Sequence, residues 1–171
     1  MADTQDLFAA HHSGLVRYLT HAVGHRETAQ DLAQDAFVRA AQAPMLPVGD
    51  GAQRAWLFKI ARNLAIDHHR RSAIRNAGRV DVDVDPPIDE KAHLGVMVRQ
   101  ALAALDELAR EVFVMRELAG LSYGEIADVC DITPDAVRSR IHRARMQLRE
   151  HLERPLTDAR TRLMRNELRR D

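Results

Sequence analysis

Residues 118–150 carry two helix-start signals so closely spaced that few arrangements satisfy both. Ser122 followed three residues later by Glu125 is a capping box. In it the hydroxyl and the carboxylate each satisfy an orphan backbone N–H. Thr133 followed by Pro134 is a hydroxyl cap with proline at the first helical position, where a missing N–H costs nothing. The spacing predicts a short helix over about 123–129, a four-residue turn, and a longer helix from 134 to about 150. That is a helix-turn-helix pattern.

The longer helix has two faces. Val137, Ile141, Ala144 and Leu148 fall at spacings of four, three and four, an apolar stripe. Asp135, Arg138, Ser139, His142, Arg143 and Met146 project the other way, and Arg140 and Arg145 flank the stripe. An arginine-studded helix held by its back to a small core suits a DNA major groove. It equally suits the outer surface of any small bundle, and periodicity alone leaves both open.

The chain has 171 residues, enough for one or two domains. Its 25 basic and 25 acidic side chains cancel, which argues against strong non-specific nucleic-acid affinity by the whole chain. Alanine, leucine and arginine dominate, favouring helix. Cys130 is the only cysteine, so no intrachain disulfide can form. No stretch resembles a secretory signal or a membrane span, and a cytoplasmic protein without membrane contact is expected. The adjacent pairs His11-His12 and His68-His69 point about 100° apart on a helix, so spacing gives no metal site. There is no glycine-rich phosphate loop and no catalytic constellation; no cofactor and no enzymatic activity are expected.

Ahead of the motif, a first helix is expected over 5–22, ended by Gly24. A second is expected from a Thr28 cap to about Ala43, with Leu32, Ala36, Phe37 and Ala40 on its apolar stripe. Pro44, Pro47, Gly49 and Gly51 mark a loop. A third helix follows over about 52–72, burying Trp56, Leu57, Ile60, Ala61, Leu64 and Ala65. The basic cluster that ends it suits the helix dipole. Residues 81–85 then alternate aspartate with valine before Pro86-Pro87, and the stretch 73–93 reads as an extended acidic linker. A second unit begins near residue 94, with Asp106 capping a helix and Gly120 breaking it. The expectation is an all-α chain: one small helical domain over 1–72, a flexible acidic linker over 73–93, a second domain over 94–150 containing the helix-turn-helix, and a C-terminal extension over 151–171. Pro155 is expected to interrupt that extension.

Two runs in the first unit now matter. One reads Asp31-Leu32-Ala33-Gln34-Asp35-Ala36-Phe37; the other runs from Ala55-Trp56-Leu57-Phe58-Lys59 to Asp67-His68-His69-Arg70-Arg71. With the helix-turn-helix they resemble, in order, the hallmarks of a bacterial extracytoplasmic-function (ECF) sigma factor of the sigma-70 family. The resemblance spans nearly everything from residue 7 to residue 150. It implies a factor that directs core RNA polymerase to specific promoters and helps melt the −10 region. By resemblance, Asp31, Leu32, Gln34 and Asp35 bind the clamp of the polymerase beta-prime subunit. Lys59, Arg62, Asn63, His68, Arg70 and Arg71 contact −10 DNA. Arg138, Ser139, Arg140, His142, Arg143 and Arg145 contact the −35 element, with the beta-subunit flap as a further partner.

The family's base-receiving loop corresponds to residues 42–54 here, which hold no aromatic stacking platform. Asp81, Asp83, Asp85 and Asp89 are expected to imitate nucleic-acid charge in a polymerase channel. An anti-sigma factor is a further expected partner. Asp131 and Asp135 stand where the family often has glycine, so they bear on the turn and on promoter preference. Two other classes stay open from the residues alone: a dimeric helix-turn-helix regulator acting without polymerase, and a protein-interaction module. Polymerase-dependent run-off transcription separates them.

Overall fold

The computed structural model describes the backbone of residues 4–75 and 90–167 and the side chains of residues 6–74 and 95–153. Among the described residues there are seven helices and no strand. They are α1 (Thr4–Val23), α2 (Arg26–Gln42), α3 (Asp50–Arg75), α4 (Glu90–Ala103), α5 (Glu107–Glu117), α6 (Tyr123–Cys130) and α7 (Pro134–Glu167). The all-α expectation holds. The expected acidic linker lies largely outside the described residues. Its ends do not: α3 runs on to Arg75 and α4 begins at Glu90.

Most helix ends follow local chemistry. Gly24 leaves α1 at φ +79°, and Gly120 turns the chain after α5 at φ +70°. Asp106 caps α5, its carboxylate accepting from the Ala109 N–H at 2.9 Å. Two expectations are corrected. Thr28 does not cap α2; the helix starts at Arg26 after His25, which makes no side-chain cap bond. Glu27 in the first turn supplies the negative charge that the helix dipole favours there. Nor does Pro155 interrupt α7, which continues to Glu167. A proline removes one N–H from the ladder, and the helical backbone continues on both sides of it.

Helices α1, α2 and α3 pack mutually around Leu15, Leu19, Ala33, Phe37, Leu57, Phe58 and Leu64. Phe8 and His12 lie against Phe37, their ring centroids 4.8 and 6.2 Å from it, and so tie α1 to α2. Helices α4, α5 and α6 gather around α7. Arg110 holds the end of α4 by donating to the carbonyls of Leu102, Ala103 and Leu105.

The two units do not stand apart. α3 packs along α6, and α1 touches α5. One continuous core cluster contains Phe58 and Ala61 of α3 together with Leu121, Ile126 and Val129 of the second unit. Gly14 backs onto the Ala119 carbonyl; a Cβ there would lie 3.6 Å from it, in ordinary contact. A unit of this size cannot bury all its apolar surface by itself, and the first unit covers what remains.

Candidate nucleic-acid interface

The helix-turn-helix forms as its caps dictate. The Ser122 N–H donates to the Glu125 carboxylate at 2.6 Å, and the Glu125 N–H to the Ser122 hydroxyl at 3.2 Å. Asp131 ends α6 in the left-handed region, φ 55° and ψ 45°, a conformation aspartate tolerates better than most residues. The Ala136 N–H then donates to Thr133 Oγ1 at 3.2 Å and starts α7.

On α7 the stripe Val137, Ile141 and Ala144 is buried, and Leu148 is half-buried. Arg138, Ser139, His142, Arg143 and Arg145 are exposed, with Arg140 half-buried beside the stripe. Several are already oriented. Arg138 pairs with Asp135 at 3.0 Å and sits 5.9 Å from the Tyr123 ring centroid. Arg143 Nε donates to the Ser139 carbonyl at 3.4 Å. Arg145 reaches Glu117 at 2.6 Å. The face offers guanidinium forks, an imidazole and a hydroxyl, the donor set that reads base edges and phosphates.

On α2, Asp31, Gln34 and Asp35 are exposed and Leu32 is half-buried. Val38, one turn on, is 46 % exposed. The helix thus presents an acidic and amide face beside an apolar spot. The loop before α3 exposes Met45 (82 %) and Val48 (96 %), two apolar side chains whose only sequence signal was their place in a proline- and glycine-rich turn.

On α3 the six candidate DNA contacts divide. Asn63, Arg70 and Arg71 are exposed and His68 is half-buried; Arg70 pairs with Asp67 at 3.3 Å. Lys59 and Arg62 instead face the second unit. Lys59 Nζ lies 2.6 Å from the Asp131 carboxylate. Arg62 Nε lies 2.9 Å from Glu111, which also accepts from the Tyr18 hydroxyl at 2.8 Å. On the same helix Arg54 donates to the Ala119 carbonyl and lies 3.8 Å from Glu125. Burial, and then the charge of Glu111, push the Tyr18 hydroxyl well above its usual range. Burial pushes the Cys130 thiol up to about 11, with Glu111 adding to the shift. Among the described residues no group of three or more metal-ligating side chains is assembled, and no helix is long and apolar enough to cross a membrane.

Comparison with known proteins settles the family. Residues 7–74 match the model of sigma-70 region 2, and residues 95–148 match that of sigma-70 region 4. The RNA polymerase sigma factor YlaC of Bacillus subtilis is 31 % identical over 157 residues, covering 86 % of this chain and 91 % of YlaC. The chain belongs to the ECF group of the sigma-70 family. The ECF RNA polymerase sigma factor SigL of Mycobacterium tuberculosis is 35 % identical over 155 residues, covering 86 % of this chain and 87 % of SigL. Among solved structures, CnrH in complex with the cytosolic domain of CnrY superposes with a TM-score of 0.64 at 29 % identity, covering 88 % of this chain and 87 % of that one. The sigma factor RpoE of Bartonella quintana, in complex with the anti-sigma factor NepR, shares the fold with a TM-score of 0.69 at 23 % identity, over 90 % and 98 % of the two chains. This sigma factor is therefore a non-enzymatic initiation factor that directs RNA polymerase to promoters.

Proposed function

We propose that this sigma factor divides its work among three surfaces. The α2 face of Asp31, Leu32, Gln34 and Asp35 docks on the beta-prime clamp, where carboxylates and an amide pair with basic groups of a partner helix. Lys59, Arg62, Asn63, His68, Arg70 and Arg71 of α3 hold −10 DNA during strand separation. Arg138, Ser139, His142 and Arg143 read the −35 duplex, Arg140 and Arg145 hold its phosphates, and the flap of the beta subunit seats the second unit. The factor acts in the cytoplasm.

The observation that carries this reading is the partition of α7. Arg138, Arg143 and Arg145 are exposed on one side while Val137 and Ile141 are buried on the other. Run-off transcription with purified core polymerase, on promoters recovered by selection from a random library, is the test. Polymerase-dependent initiation that Arg143→Ala weakens is the expected outcome. Duplex binding without polymerase-dependent initiation would mean a simple regulator.

An anti-sigma factor is the proposed restraint. A cleft between α1, the start of α2, α4 and α5 is rimmed by Arg17, Arg26, Arg99 and Arg110, and among the described residues no carboxylate lines it. Its chemistry suits an acidic segment of such a partner.

A further inference from the structure

The geometry points to a binding site for a small amphiphilic organic phosphate in the cleft between α1, the start of α2, α4 and α5. The ligand class is an aliphatic chain that carries a multiply charged phosphate head. This goes beyond the promoter-directing role. The cleft is the one assigned above to an acidic partner segment, and the two ligands would share its cations. Binding of the small anion stands whether or not such a partner exists.

The cleft encloses about 930 Å³. Small-molecule sites run from roughly 300 to 1,000 Å³, with apolar walls and a few placed polar groups. Val16 of α1, Leu102 and Ala103 of α4 and Leu118 after α5 give this one aliphatic walls. Arg17, Arg26, Arg99 and Arg110 stand around them, and among the described residues no carboxylate lines the space they enclose.

The charge is not neutralised elsewhere. Arg17, Arg26 and Arg99 are exposed, and among the described residues none of the three is ion-paired. Arg110 donates to the carbonyls of Leu102, Ala103 and Leu105, which fixes its guanidinium and leaves its formal charge in place. Glu107 and Glu111 share a neighbouring cavity with Arg110 but do not line this one. Helix α2 adds to the field. Gly24 and Arg26 bring its N-terminus to the cleft, and His25 gives it no side-chain cap. The positive end of a helix dipole favours an anion, and Glu27 of the first turn lies outside the lining.

These features select the ligand. One carboxylate offsets one cation of four, whereas a diphosphate offsets several and matches guanidinium forks bidentately. Phe, Tyr and Trp are absent from the described lining, so a nucleobase finds no stacking platform. The His12 ring already lies against Phe8 and Phe37. The aliphatic walls instead take a hydrocarbon chain out of water.

Isothermal titration of the full-length chain with farnesyl diphosphate, below its aggregation concentration, is the test. One-to-one binding is expected, about tenfold or more tighter than that of isopentenyl diphosphate, whose short body leaves most of the walls uncovered. Arg17→Gln with Arg99→Gln should weaken it about tenfold or more, because a charge-assisted bond contributes on the order of tenfold. Both side chains are exposed, so the urea midpoint of this variant should not move. Hydrogen exchange locates the ligand: slowed exchange in peptides spanning 12–26 and 99–110 supports the site.

Affinity indifferent to chain length, or unchanged in the variant, overturns the inference, as does protection confined to α7. So does a chain that binds an acidic leucine-rich peptide and ignores farnesyl diphosphate, which leaves the cleft to the partner segment alone. Failure of the promoter-directing role reads out separately, in run-off transcription.

Discussion

The Arg62 guanidinium and the Glu111 carboxylate meet at 2.9 Å across the junction of α3 with α5, and the Tyr18 hydroxyl donates to the same carboxylate oxygen at 2.8 Å. Three helices from two units are tied at one carboxylate. Glu111→Ala leaves a guanidinium and a phenol without their acceptor. The expected loss is about 1–3 kcal/mol of folding stability, measured as the shift in urea midpoint at constant slope. Tyr18→Phe removes one of the two bonds and should cost about 1 kcal/mol.

Ser122→Ala removes the hydroxyl side of the capping box while leaving the α6 sequence otherwise intact. A loss of about 1 kcal/mol is expected by thermal or urea unfolding. Ser122→Asp should recover most of it, because aspartate also caps.

Arg143 and Arg145 should differ in kind. Arg143→Ala is expected to lose about 1–3 kcal/mol of discrimination between a cognate −35 duplex and a mutated one. Arg145→Ala should weaken both duplexes alike and lower the salt slope by about 0.9. Titrations of the two duplexes at several salt concentrations decide; identical profiles for the two variants would refute the division of roles.

Two histidines make stability depend on pH. Burial first, then Arg54, holds His11 below its usual 6.5; burial first, then Arg110, does the same for His21. The folded protein therefore keeps both rings neutral where the unfolded chain would protonate them. Their contribution is fully present above pH 6.5 and is lost as pH falls through the lowered folded values. The urea midpoint should fall between pH 7.5 and 5.5. His11→Gln with His21→Gln should reduce that fall.

The Cys130 thiol, buried and pushed up to about 11, holds little thiolate at neutral pH. Alkylation by iodoacetamide at pH 7.5 should be much slower than that of the urea-unfolded chain, because burial both shields the sulfur and disfavours its thiolate. A rate equal to the unfolded one would show that the thiol is neither buried nor shifted.

The features legible in the sequence were those that act over one helical turn. Ser122 with Glu125, Thr133 with Ala136 and Asp106 with Ala109 each close a bond three residues apart, so spacing alone finds them. The stripe of Val137, Ile141 and Ala144 is legible for the same reason. Thr28 misled because a hydroxyl near a helix start is an option, and the chain began α2 at Arg26 without it.

The seam between the units left no such trace. Arg62 and Glu111 are 49 residues apart and Tyr18 and Glu111 are 93 apart. No periodicity links them, and each of these side chains reads as an ordinary polar position on its own helix. Lys59 and Arg62 were recognisable as cations of α3. That they are met by carboxylates of the same chain follows only from how the two units pack.

The partition of α7 also bears on how such a protein diversifies. Arg138, Ser139, His142 and Arg143 face outward from a helix whose buried side is Val137, Ile141 and Ala144. Arg138 lies near the Tyr123 ring, but the other outward residues project into solvent, so most exchanges among them fall within about 0.5 kcal/mol of neutral for folding. On the −35 assignment proposed above, drift at these positions would carry a lineage from one set of target genes to another without passing through unfolded intermediates. The buried positions, a single residue away in sequence, have no such freedom.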